Sequence, residues 1–147
     1  MSLTTKQLRA GLTARVATVA GLHTASGPLG VEREPSTLAD RSFEVIITDE
    51  TDAGERVRAG ARMWVTAQFS VRMVHRMPLK GGAEARDQAL DDSDAVRRVL
   101  LSHASDPIRE CENTITYGGT SREERGGGAY ILTTMRWAVR YDCSLVV

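Results

Sequence analysis

The stretch ARMWVTAQFSVRMV, residues 61–74, decides the fold. Met63, Val65, Ala67, Phe69, Val71 and Met73 fall on one side of an extended chain. Trp64, Thr66, Gln68, Ser70 and Arg72 fall on the other. A two-residue period that holds for so long is the signature of a strand. Apolar on one side only, it belongs in an antiparallel sheet with a single covered face. Residues 129–141 repeat the pattern: Ile131, Thr133, Met135, Trp137, Val139 and Tyr141 alternate with Tyr130, Leu132, Thr134, Arg136, Ala138 and Arg140. Two shorter candidates are 41–48, RSFEVIIT, where Phe43, Val45 and Ile47 alternate, and 113–117, NTITY. Ile46 adds an apolar residue on the second face of the first of these.

The covering layer comes from two helical patterns. In 4–20, Thr4 and Gln7 have the spacing of a capping box, and Leu8, Leu12, Val16 and Val19 share a face, with Gly21 as a stop. In 84–104, Ala85, Ala89, Val96, Val99, Leu100 and His103 form a stripe. Asp91 to Asp94 either begin a second helix or interrupt one long one.

Between these elements, 23–40 reads as irregular, with any first strand falling at 29–33. Residues 49–60, DETDAGERVRAG, read as a long polar loop or flared hairpin tip, and 118–128, with five glycines, as a second loop. The expected architecture is α+β: one domain over 1–147, a single mostly antiparallel β-sheet, two main helices packed on one face, and extended loops at 49–60 and 118–128.

Composition narrows the function. Nineteen basic and nineteen acidic residues balance to zero net charge, which argues against nucleic acid as the main partner. The same balance removes a barrier to self-association. No apolar run reaches the roughly 20 residues that span a bilayer. The first residues, MSLTTKQLRAGL, lack a signal peptide's apolar core, so the expected site of synthesis is a cytosol. In that reducing compartment Cys111 and Cys143 read as buried, inert thiols.

Motifs that carry chemistry are missing. His23, His75 and His103 are scattered, and His103 reads as a helix-end residue near the C-terminal dipole. DDSD at 91–94 reads as helix N-capping by Asp92 or Ser93 rather than a magnesium site, and DETD at 49–52 as a solvated loop tip. GGTSREERGGG precedes a strand, the wrong context for cradling phosphate. No enzyme activity, metal or cofactor is expected. Trp137 reads as core. Trp64, on the polar face of its strand, reads equally as a cross-strand packing partner or an interface residue.

Taken together, LRAGLTARV in a short first helix, SFEVIITDETDAGERV running into RMWVTAQFSVRMV, the single helical segment DAVRRVLLSHA, and the closing ITYGGTSREERGGGAYILTTMRWAVRYD carry a resemblance. The plan resembles the tail terminator (tail completion) proteins of long-tailed bacteriophages over nearly the whole chain. The resemblance implies a structural virion protein, made in the bacterial cytoplasm and placed at the neck end of the tail. It implies a ring, hexameric in the family, that caps the tail tube, ends its polymerisation and presents a joining surface to the head-side connector. The implied partners are further copies of the chain, the tail tube protein and the connector. The residues expected at such contacts are Arg56, Arg58, Arg122, Glu123, Glu124 and Arg125, on loops 49–60 and 118–128 that act as arms, and Trp64 on the polar face of its strand. A neck or head-completion ring protein and a small-molecule-binding α+β enzyme are the alternative readings.

Overall fold

A computed structural model of the chain describes residues 2–29, 35–56 and 62–144. Helix α1 (Thr5–Ala17) opens the chain, followed by the two-residue strand β1 (His23–Thr24), β2 (Ser42–Arg56), β3 (Arg62–Arg76), helix α2 (Ala83–Leu100), β4 (Thr116–Arg125) and β5 (Tyr130–Ser144). Short 3-10 turns occupy Pro35–Thr37 and Arg109–Thr114. The five strands form one sheet in the order β1-β2-β3-β5-β4. β1 runs parallel to β2, and every other pair is antiparallel. The α+β architecture expected from the alternation and the two stripes is the one observed.

The alternating residues of β3 and β5 point under the helices. Val65, Ala67, Phe69, Val71 and Met73 on β3, and Met135, Trp137, Val139 and Tyr141 on β5, are buried with Leu8, Leu12 and Val16 of α1 and Val96 and Leu100 of α2. Each of the larger side chains among these contributes about 2 kcal/mol by leaving water. Trp137 is core, as expected, stacked on Phe69 at 6.2 Å between ring centroids and covered by Tyr117 at 5.0 Å. Gly11 lets Ile108 reach the backbone of α1, where any Cβ would collide with it. A smaller cluster of Leu29, Leu38, Val74, Tyr130 and Leu132 closes one end of the opposite face.

Local chemistry sets the helix ends. The Thr4 side chain accepts from the Gln7 amide at 3.1 Å and Gln7 Oε1 accepts from the Thr4 amide at 2.8 Å, the capping box read from the spacing. Gly21 is not the stop: α1 ends at Ala17, and Gly21, at φ +85°, sits in the following turn beneath the Arg41 guanidinium. Cys111 and Cys143 are buried and free, and burial pushes the Cys111 thiol up to about 11.

Five further expectations need correction. Of the two readings of 49–60, the loop is overturned as far as Arg56, because β2 continues to that residue in a hairpin with β3. A register shift between Ile47 and Asp49 moves Thr48 out of the pairing and turns Glu50 to the helix face. There Glu50 accepts from Thr5 Oγ1 at 3.0 Å and Tyr141 Oη at 3.2 Å, so an acidic residue is satisfied inside a strand. Residues 57–60 lie outside the described residues. The segment 118–128 is likewise strand through Arg125, and only the turn that follows is loop. Gly126, Gly127 and Gly128 take φ values of +64°, +67° and +88°, a left-handed path that favours glycine. The first strand is His23–Thr24 rather than 29–33; of that range, residues 30–33 lie outside the described residues. Asp91 to Asp94 neither begin nor break a helix, since α2 runs through them. His103 lies beyond α2, exposed, with Nδ1 2.7 Å from Glu112 Oε1 instead of facing the helix end.

Candidate interaction surface at the outer strand

Two helices about 10 Å across cover about four strands spaced ~4.8 Å apart. The sheet has five strands, and β4, at its far end, is left outside the helix layer. Every residue of β4 is exposed or half-exposed. This strand carries four of the seven residues expected at contacts.

The pleat divides those four. Arg122 pairs in register with the buried Thr133 and faces the helices, as does Glu124 opposite Ile131. Arg122 Nη2 donates to Ser93 Oγ at 2.8 Å, and Arg86 Nη2 donates to Glu124 at 2.8 Å. These two bonds tie β4 to α2 across a groove of about 240 Å³, floored by Ala89, Leu90 and Ile131. Glu123 and Arg125 point to the opposite face and pair with each other. The charged run is therefore two separate ion-paired surfaces, one on each face of the sheet.

Trp64 is at the other end of the molecule. It pairs in register with Asp142, eleven residues along β5 from Ile131, about 36 Å of strand. Arg140 lies over its ring at 4.9 Å, an arrangement that matches the cross-strand packing reading. The Arg56 backbone closes β2 at that same end, opposite Met63, and Arg58 lies outside the described residues. The expected contact set is thus split between two ends of the sheet.

Two charged clusters beneath α1 and α2 were not read from the sequence as clusters. In the first, Asp92, buried on α2, accepts from Arg41 Nε at 3.0 Å, Arg41 Nη2 at 2.8 Å and Gln88 Nε2 at 2.9 Å, with His75 Nε2 at 2.7 Å. Burial pushes the Asp92 carboxyl up, but the hydrogen bonds from Arg41, His75 and Gln88 outweigh it and hold the group below the usual carboxylate range. An ionised carboxylate only accepts, so His75 carries its hydrogen on Nε2. Arg41 holds φ +56°, which aims its side chain back over Gly21 and onto Asp92. The signal was present: Asp92 lies three residues after Ala89 and four before Val96, on the apolar stripe, and His75 continues the alternation of Met73. In the second cluster, Arg15, also buried, donates to Asp106 at 2.7 and 3.0 Å and to Glu112 at 2.6 Å, locking α1 to the connection between α2 and β4. Hydrogen bonds from Arg15 and then His103 hold the Glu112 carboxyl down at about 2.

The polar atoms of both clusters are occupied mainly by one another, which suits anchoring of the helices. Among the described residues, no group of three or more His, Cys, Asp or Glu side chains is placed to hold a metal ion. No described helix is long and apolar enough to cross a membrane. No family model matches the chain, and no curated protein matches it.

Proposed function

We propose that the chain is a structural virion subunit that assembles as a ring on the end of a tail tube, stops its growth and offers a joining surface to the head-side connector. The observation that supports this reading best is the strand left outside the helix layer. A ten-residue edge strand, paired to β5 on its inner side and to no strand on its outer side among the described residues, is a surface for a partner. A ring of identical subunits needs two different complementary patches on each copy. The sheet supplies two unlike edges, β4 at one end and, beyond its two-residue pairing with β1, β2 at the other. The mixed charges of Arg122, Glu123, Glu124 and Arg125 fit a polar rim around such a contact.

The buried Arg41–Asp92–His75 cluster does not favour the enzyme alternative. Asp92 and His75 are nearly sealed from solvent, and the Asp92 carboxylate is taken up by four hydrogen bonds from three residues, Arg41, His75 and Gln88. The test is polymerisation of purified tail tube subunits with and without the chain. A capping ring gives tubes of defined, shorter length at substoichiometric amounts, with one ring per tube end. Unchanged tube length, with no chain bound at the ends, would contradict the proposal.

A further inference from the structure

The second edge of the sheet has an unusual setting. β1 pairs with β2 only at Ser42 and Phe43; among the described residues the last backbone bond from that side is from the Ala25 amide to the Phe43 carbonyl at 2.8 Å, and the Leu29 amide donates to Glu44 Oε1 at 2.9 Å. From Val45 onward the outer side of β2 has no strand partner among the described residues. α1 runs beside this open edge and presents small side chains to it: Ala10, Thr13, Ala14 and Ala17. The result is a groove of about 640 Å³ between helix and strand edge. From Lys6 to Ala17 the helix is ~17 Å long. That is the length of about five residues of extended chain.

Strand direction selects the occupant. β2, β3, β5 and β4 alternate in direction across the sheet, because each neighbouring pair is antiparallel. β4 therefore runs opposite to β2. A second copy placed beyond β4 in the same orientation offers its β2 as the next strand, and the antiparallel alternation continues unbroken. The lengths agree: β4 has ten residues, and β2 from Val45 to Arg56 has twelve. Charge agrees as well. Lys6 and Arg9 line the groove, and neither has an ion pair among the described residues. Glu124 lies on the helix-side face of the incoming strand, held only by an exposed pair to Arg86. Exposed pairs are worth ~0–1 kcal/mol and re-pair easily.

We infer that β4 of one copy docks as an added strand in the α1–β2 groove of the next copy, joining the sheets of neighbouring subunits. This rests on the ring reading and names its contact. Because the two edges differ, the contact is head-to-tail and repeats around a closed ring.

Cysteine trapping tests it, helped by the burial of both natural thiols. Ile46→Cys on β2 and Ser121→Cys on β4 both project from the face away from the helices. The double variant, treated at high protein concentration with a short bismaleimide, is expected to give a ladder of covalent multimers that stops at the ring size. Each single variant is expected to give none. Ala14→Trp, at an exposed position, fills the groove and is expected to reduce the ladder at least tenfold, while circular dichroism and melting confirm the fold. Lys6→Glu with Arg9→Glu is a second block that leaves the groove's shape intact. Rings that form without the ladder, or a ladder indifferent to both blocks, overturn the edge contact and leave the ring reading standing. A chain that stays monomeric at all concentrations, with and without tail tubes, overturns both.

Discussion

The two sides of the sheet are fastened to the helix layer by different chemistry. On the β2–β3 side, Arg41 and His75 reach Asp92 of α2 in a cluster where Asp92 is 2% exposed and His75 1%. On the β4 side, Glu124 and its partner Arg86 are 48% and 55% exposed, and the other ties are a single bond from Arg122 to Ser93 and Arg97 lying over the Tyr117 ring. A buried charge that loses its partner is left uncompensated in a poor solvent for ions, whereas an exposed one is taken up by water. The β2–β3 side is therefore fixed, and β4 can trade its side-chain partners at little expense. The proposed ring contact uses that division: a rigid platform and one strand free to dock on a neighbour.

The largest expected effect comes from breaking the buried side. Asp92→Ala removes the acceptor for Arg41, His75 and Gln88 and is expected to cost about 3 kcal/mol in urea unfolding. A loss under about 1 kcal/mol would mean that the cluster does not fasten α2.

Acid sharpens the contrast. The Glu112 carboxyl sits at about 2 in the folded chain against an ordinary 4.5, held there by Arg15 and His103. Its folded value is depressed, so its stabilisation is fully present above pH 4.5 and is lost as pH falls toward 2. The depressed Asp92 carboxyl acts in the same direction. Urea midpoints measured between pH 6 and pH 2 are expected to fall more steeply for the native chain than for Glu112→Gln. Parallel curves would show that the Arg15 cluster does not couple to folding.

The smallest effect is expected on the β4 side. Glu124→Ala removes an exposed pair and is expected to change stability by about 0.5 kcal/mol or less. A loss of about 2 kcal/mol would make β4 part of the fixed platform and undermine its role as the exchangeable edge.

How much of this was legible follows from what each residue's neighbours are. The alternation over 61–74 and 129–141 identified two strands and their buried faces, because a one-sided sheet imposes that period directly. The α1 capping box and the buried Trp137 were legible for similarly local reasons. Polar strand was not legible. Asp49 to Arg56 and Gly118 to Arg125 look like loops because their own side chains give no reason to be extended. They are strands because β3 and β5 are long enough to hold them in pairing. The split of Arg122 to Arg125 across two faces follows from that error, since alternation has no meaning in a loop. The Asp92 cluster was missed because DDSD resembles a helix start. Its position on the apolar stripe was the contrary signal.

The central claim is a ring on a tube end, and mass measurement of the purified chain with and without tail tubes tests it most directly. The account expects tube-bound chain to carry the mass and rotational symmetry of a closed ring, six-fold if the resemblance holds. A monomer in dilute solution without tubes is compatible with it, because the ring can close on the tube. Isolated single subunits on the tube, or bound protein without rotational symmetry, would contradict it.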